Sequence, residues 1–102
     1  MSRGGSRVSI PCYPSSTVEY VPVPVTGTYT PSTPVHMAVV PYGVEPGSGD
    51  WKPAVWDGSY AKVKIGAGSD VGELDEGTYG VWVKVTAADE EPVMKAGPIR
   101  VT

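Results

Sequence analysis

Phenylalanine is absent from this chain, and leucine and isoleucine are scarce, whereas valine, six Tyr and three Trp supply most of the bulk. That balance favours the pleated conformation and speaks against a helix bundle. Histidine occurs once, as His36, with no serine or cysteine motif beside it, so the count excludes a histidine-dependent triad or a multi-histidine metal site. His36 itself reads as a solvent or edge histidine. Cysteine also occurs once, as Cys12, which rules out an internal disulfide and a cysteine-rich zinc site and suits synthesis in a reducing cytoplasm. Flanked by Pro11 and Tyr13, Cys12 is expected to be a small packed residue, with a reactive thiol as the alternative. No run approaches the roughly 18 apolar residues of a membrane span, and the N-terminal arginines are not followed by the apolar stretch of a signal peptide. Clustered cations are missing too: Lys and Arg total 8 against 11 Asp and Glu, for a net charge of −3, and a duplex-binding surface is not expected.

Glycine and proline are plentiful, at 13 and 11 of 102 residues. The apolar residues between them recur too regularly for a disordered chain, so the two punctuate turns. Residues 1–16 carry Arg3 and Arg7, no acid, and two prolines; they read as an extended basic arm. Residues 17–102 form the body, a single small domain, with six bases against eleven acids.

Within the body the apolar period is two. "TVEYVPVPV" gives a first strand, in which Pro22 and Pro24 remove alternate backbone donors. Because alternate N–H groups of a strand point to one edge, this predicts an outer strand that pairs on one side only. "TPVHMAVVPYG" predicts a second strand, with Val35, Met37 and Val39 on one face and His36, Ala38 and Val40 on the other. Asp57-Gly58 splits the next segment into a hairpin, after which Ala61, Val63 and Ile65 face inward and Tyr60, Lys62 and Lys64 outward. "TYGVWVKVT" sets Tyr79, Val81, Val83 and Val85 against Gly80, Trp82 and Lys84. In "VMKAGPIRVT", Gly97-Pro98 marks a bulge or break before Ile99 and Val101 point inward. Six or seven strands with frequent turn signals predict an all-β antiparallel sandwich of immunoglobulin-like or fibronectin type III-like type. Leu74, Gly77 and Tyr79 in "LDEGTYGVWV" fit the tyrosine corner of that architecture, with the phenol bonding backbone upstream.

Two loops concentrate acid: Asp70, Glu73, Asp75 and Glu76 in one, Asp89, Glu90 and Glu91 in the other. Their spacing does not fit an EF-hand, and in such a sandwich they fall at opposite ends. Solvated charge is the expectation, with docking to a basic neighbour or a calcium-stabilised adhesion domain as alternatives. So short a chain shows no cleft for a catalytic carboxylate pair, and no enzymatic activity or cofactor is expected. Aromatics that fall on outward faces suggest contact surfaces instead. Arg3, Arg7, Tyr13, Tyr60 and Trp82 are the candidate interface residues, with the arm folding over Trp82 as the alternative.

The runs "EYVPVPV", "DWKPAVWDGSYAKVKIG" and "LDEGTYGVWVKVTAADEEPVMKAGPIRVT" resemble a group of small immunoglobulin-like proteins from phages of actinobacteria. Members share a strand of the form G-x-Y-x-V-W-V-x-V-T, a Pro-Glu-rich turn and a closing A-G strand. The resemblance covers residues 18–102 and leaves the arm outside. It implies a virion structural role, as a decoration subunit of the capsid or a head-to-tail (neck) connector. Its partners would be other virion proteins, in many copies, with neither nucleic acid nor membrane contacted. Many such modules are parts of larger proteins, whereas this one carries its own basic arm. A carbohydrate- or host-surface-binding module, using Trp51, Trp56 or Trp82 as a stacking platform, is the alternative from another class.

Overall fold

The computed structural model describes residues 10–27, 29–87 and 89–102. Eight strands follow in order: β1 Cys12–Tyr13, β2 Glu19–Pro24, β3 Val35–Pro41, β4 Lys52–Pro53, β5 Val55–Asp57, β6 Tyr60–Ile65, β7 Gly77–Val85 and β8 Val93–Val101. Among the described residues the only helical piece is a 3-10 turn at Ser48–Asp50. The strands form a five-stranded sheet in the order β1-β8-β7-β3-β4 and a three-stranded sheet in the order β2-β6-β5. The chain is therefore all-β with two sheets, as the period of two requires.

One valine-rich layer joins the sheets. Val21 and Val25, with Ala61, Val63 and Ile65, come from the smaller sheet; Val35, Met37, Val81, Val83, Val85 and Ile99 come from the larger. The inward and outward faces read from "SYAKVKIG" and "TYGVWVKVT" are those observed. On β3 the alternation is less clean. Val35 and Met37 are buried in the core and Val39 is half-buried against it, but Ala38 and Val40, expected to face out, are buried as well. Something covers the outer face of the large sheet.

The hairpin differs by one residue from the expectation. Asp57 pairs with Tyr60 and Trp56 with Ala61, so the connecting residues are Gly58-Ser59 rather than Asp57-Gly58. This register keeps Trp56 on the face shared with Ala61, where it packs against the core.

Among the described residues β2 is an outer strand and pairs with β6 alone. The N–H of Val25 donates to the Ser59 carbonyl in the direction of β6, so by alternation the nitrogens of Pro22 and Pro24 point to the free edge. The same holds across the sandwich. The Arg100 N–H donates away from β7, to the Pro11 carbonyl, so the nitrogen of Pro98 also faces outward. Prolines thus remove donors from the facing edges of both sheets, beside an apolar groove lined by Tyr13, Val21, Val23, Pro98 and Ile99. A neighbouring strand finds no regular ladder there.

Cys12 and Tyr13, which the sequence reading assigns to the arm, pair in parallel with Arg100 and Val101. The N–H of Thr102 donates to the Tyr13 carbonyl and that of Ser15 to the Thr102 carbonyl, tying this segment down. Tyr13 turns inward against the core, and Cys12 on the opposite face is exposed rather than packed.

The loop 66–76 between β6 and β7 is built from its own hydrogen bonds. Ser69 Oγ donates to the Gly66 carbonyl at 2.6 Å and accepts from the Gly72 N–H at 3.0 Å. Gly66 is held at φ +108°, and a Cβ there would stand 2.2 Å from the Thr17 carbonyl oxygen. Gly66→Ala therefore combines a backbone clash with a disfavoured φ, and chemical denaturation should show a loss of more than about 2 kcal/mol. In contrast, the Cys12 thiol should react with an aromatic disulfide reagent in the folded protein without prior denaturation.

Candidate functional site

The outer face of the large sheet carries the most distinctive grouping of side chains. On β7, Trp82 points away from the valine layer, opposite Ala38 of β3 and Lys95 of β8. Gly80 is buried, and a Cβ on it would lie 3.5 Å from Trp82 Nε1, so the indole extends over the glycine and approaches the strand closely. Trp82 Nε1 and His36 Nδ1 are buried without a hydrogen-bond partner among the described residues. Ala38, Val40 and Gly80 make a floor of small side chains, which explains why Ala38 and Val40 are hidden on the face away from the core.

Lysines are interleaved with the rings. Lys84 Nζ stands 4.6 Å from the centre of Trp51, and Lys95 Nζ stands 5.2 Å from Tyr42 and 5.8 Å from Trp82. These are cation–π distances, each worth about 0.5–1 kcal/mol at an exposed site. Lysine ammonium groups thus lie over the aromatic rings of this face.

Lys95 reaches this face only through an irregularity. Val81 pairs with Gly97 but Trp82 pairs with Lys95, so Ala96 is the extra residue of a β-bulge, next to Gly97 at φ +125°. Without the bulge Lys95 would share the parity of Ile99 and Val101 and face the core. With it, Met94 packs inward and Lys95 joins Trp82 outside.

The sequence-read candidates are distributed rather than gathered. Tyr60 is exposed on the outer face of the small sheet, opposite to Trp82, because the strands β6 and β7 belong to different sheets. Tyr20 shares that face at the opposite end of the β2–β6 pair, across from Lys64, with Lys62 Nζ 4.5 Å from its ring, and Lys62 also meets Asp57 at 3.5 Å. Tyr13 stands at the edge groove, where burial, followed by the nearby Glu19 carboxylate, pushes its phenol above the ordinary range. Of residues 10–16, Cys12 and Tyr13 pair with β8 at the sheet edge. Arg3 and Arg7 lie outside the described residues.

Trp56 is not a free platform. It stacks on Tyr29 with ring centres 5.6 Å apart, and its Nε1 donates to the Thr33 carbonyl at 2.8 Å. At the other end of the sandwich, Leu74 packs against the core and the Tyr79 hydroxyl donates to the Asp75 carbonyl at 2.8 Å. Burial first, then the Asp75 carboxylate, holds this phenol above its ordinary value of 10.0, against the smaller opposing effect of the hydrogen bond itself. The two acidic loops flank the nine-residue strand β7 and so lie about 30 Å apart along it. Among the described residues no three His, Cys, Asp or Glu side chains converge on a point that could hold a metal ion.

Sequence reasoning reached Trp82 and, two positions on, Lys84; it missed Tyr42 and Lys95. Tyr42 is a loop residue, and Lys95 depends on a one-residue bulge whose site was visible in Gly97 but whose effect on parity was not. No family model, curated protein or solved structure matches this chain.

Two outcomes follow from this geometry. Gly97→Val, which strains the bulge, should cost about 1–3 kcal/mol in denaturant unfolding. Tyr79→Phe should cost about 1 kcal/mol near neutral pH. Because the folded-state pKa is raised, the contribution of Tyr79 is complete below pH 10 and is lost as pH rises through the folded value; the gap between wild type and Tyr79→Phe should therefore narrow in alkaline melts.

Proposed function

We propose that this chain is a non-enzymatic immunoglobulin-like module that docks on other virion proteins through the outer face of its five-stranded sheet. The carrying observation is the Trp51–Lys84 and Tyr42–Lys95–Trp82 layer laid over the buried floor of Ala38, Val40 and Gly80. Tryptophan and tyrosine are enriched at interface centres, and the lysines set among them here form no ion pair among the described residues.

The strand order supports the immunoglobulin-like part of the reading. With β2, β3, β5, β6, β7 and β8 taken as strands B to G, the sheets read B-E-D and C-F-G; β4 then lies beside C as C′ does, and β1 runs beside G. The hydroxyl bond from Tyr79 at the start of β7 to backbone four residues upstream supports a tyrosine-corner reading. The tryptophan and inter-sheet disulfide of antibody domains are lacking, and Met37 and the valines fill that volume. The virion setting rests on the resemblance of the "GTYGVWVKVT" strand and its flanks to the phage proteins, with the capsid shell or the neck as the place of attachment.

A saccharide platform leaves its ring faces open. Here Lys84 covers Trp51, and Trp56 is committed to Tyr29 and Thr33, so a protein partner is the better fit. In particles assembled with the chain supplied in trans, Trp82→Ala should lower incorporation at least tenfold, the loss expected of a central interface tryptophan, while the folded fraction stays unchanged. Removing residues 2–9, which spares β1, should leave the thermal midpoint within a few degrees and reduce incorporation through loss of Arg3 and Arg7. Normal incorporation of Trp82→Ala, or glycan-array binding that vanishes with it, would overturn this reading.

A further inference from the structure

We infer that the aromatic–lysine face is the docking surface for the acidic end loop of a second copy of this chain, so that copies join end to face. This deepens the docking reading of that face and rests on it.

The charge of the body is sorted by location. The register positions that share Trp82's face on β3, β7 and β8 carry Lys84, Lys95 and Arg100 and no carboxylate. Among the described residues the one ion pair is Lys62–Asp57, on the other sheet, so these three cations have no acid partner there. The loop 66–76 is the reverse: Asp70, Glu73, Asp75 and Glu76 are exposed and carry no ion pair among the described residues. Three features hold that loop still, namely the Ser69 hydrogen bonds, the Tyr79–Asp75 bond at 2.8 Å and the seating of Leu74 against the core. A rigid acidic loop loses little conformational entropy on docking, and a flat cationic face with a tryptophan at its centre offers it both charge and area.

Symmetry narrows the arrangement. Face against face sets lysines opposite lysines, and loop against loop sets carboxylates opposite carboxylates. Only face against loop pairs opposite signs. Such a contact is heterologous: each copy keeps an unused face or loop, and the assembly grows head to tail into a ring or a filament according to the rotation per step. The proline-silenced outer sides of β2, and of β8 beyond its short pairing with β1, favour this route, because they discourage joining by strand addition there.

The test is sedimentation velocity of the full chain at about 0.05 M and 0.5 M NaCl, where screening separates charge-driven from apolar association. The wild type should self-associate at low salt, with an association constant at least about tenfold lower at high salt. Lys84→Glu/Lys95→Glu and Glu73→Lys/Glu76→Lys should each sediment as monomers. A 1:1 mixture of the two should re-associate, because the first keeps its acidic loop and the second keeps its cationic face; that recovery also shows that both are folded. A wild type that stays monomeric at low salt, or a mixture that does so with wild-type melting behaviour, overturns the inference, as does retention of poly-L-glutamate by a monomeric wild type. Incorporation into particles is read separately. If the wild type is monomeric yet Lys84→Glu/Lys95→Glu is not incorporated, the self-contact falls and the docking reading stands; if the wild type self-associates and that variant is incorporated normally, the docking reading falls.

Discussion

Everything in this molecule depends on burying one thin layer of valines between two sheets. Valine is small, and each buried side chain contributes only about 1.5–3 kcal/mol, so a core without phenylalanine needs nearly every inward position of six strands to be apolar. That demand fixes the parity of each strand, and parity in turn decides what the outer faces display. Trp82 lies outside because Val81 and Val83 must lie inside. Lys84 follows from the same rule.

The outer face of the large sheet is therefore a product of the core, with one adjustment. The bulge at Ala96–Gly97 resets the alternation of β8 between Met94 and Ile99, so that both can be buried while Lys95 is delivered beside Trp82. A single extra residue converts a position that would bury an ammonium group into one that lays it against two aromatic rings. The small residues beneath, Ala38 and Gly80, let the tryptophan approach the strand. The edges are handled differently. Pro22 and Pro24 withdraw donors from the free side of β2, and Pro98 from the part of β8 that β1 leaves uncovered, which directs contacts toward faces and loops.

Much of this was legible in residue order. The two prolines of "VEYVPVPVTG" announced a one-sided outer strand, the alternation in "TYGVWVKVT" gave its two faces, and Leu74, Gly77 and Tyr79 marked the end of the sandwich where the phenol reaches back to Asp75. The hairpin was found but displaced by one residue, because turn propensity at Asp57-Gly58 yielded to the need to keep Trp56 in phase with Ala61. Cys12 was misjudged for a related reason. Its neighbours are apolar, but a two-residue strand at the sheet edge buries only one of its faces, and Tyr13 takes it.

Sequence by itself determined the longer strands of the body, most of their inward faces and the refusal of one edge, since these follow from side-chain period and from the missing proline N–H, both local properties. Only the tertiary structure decided which strands share a sheet, and with it that Tyr60 and Trp82 face opposite ways. It also decided that Lys84 meets Trp51 and that Lys95 meets both Tyr42 and Trp82. Those residues are brought together from two loops and two strands across a bulge, and cross-strand register is a global outcome of packing that no short stretch of the chain encodes.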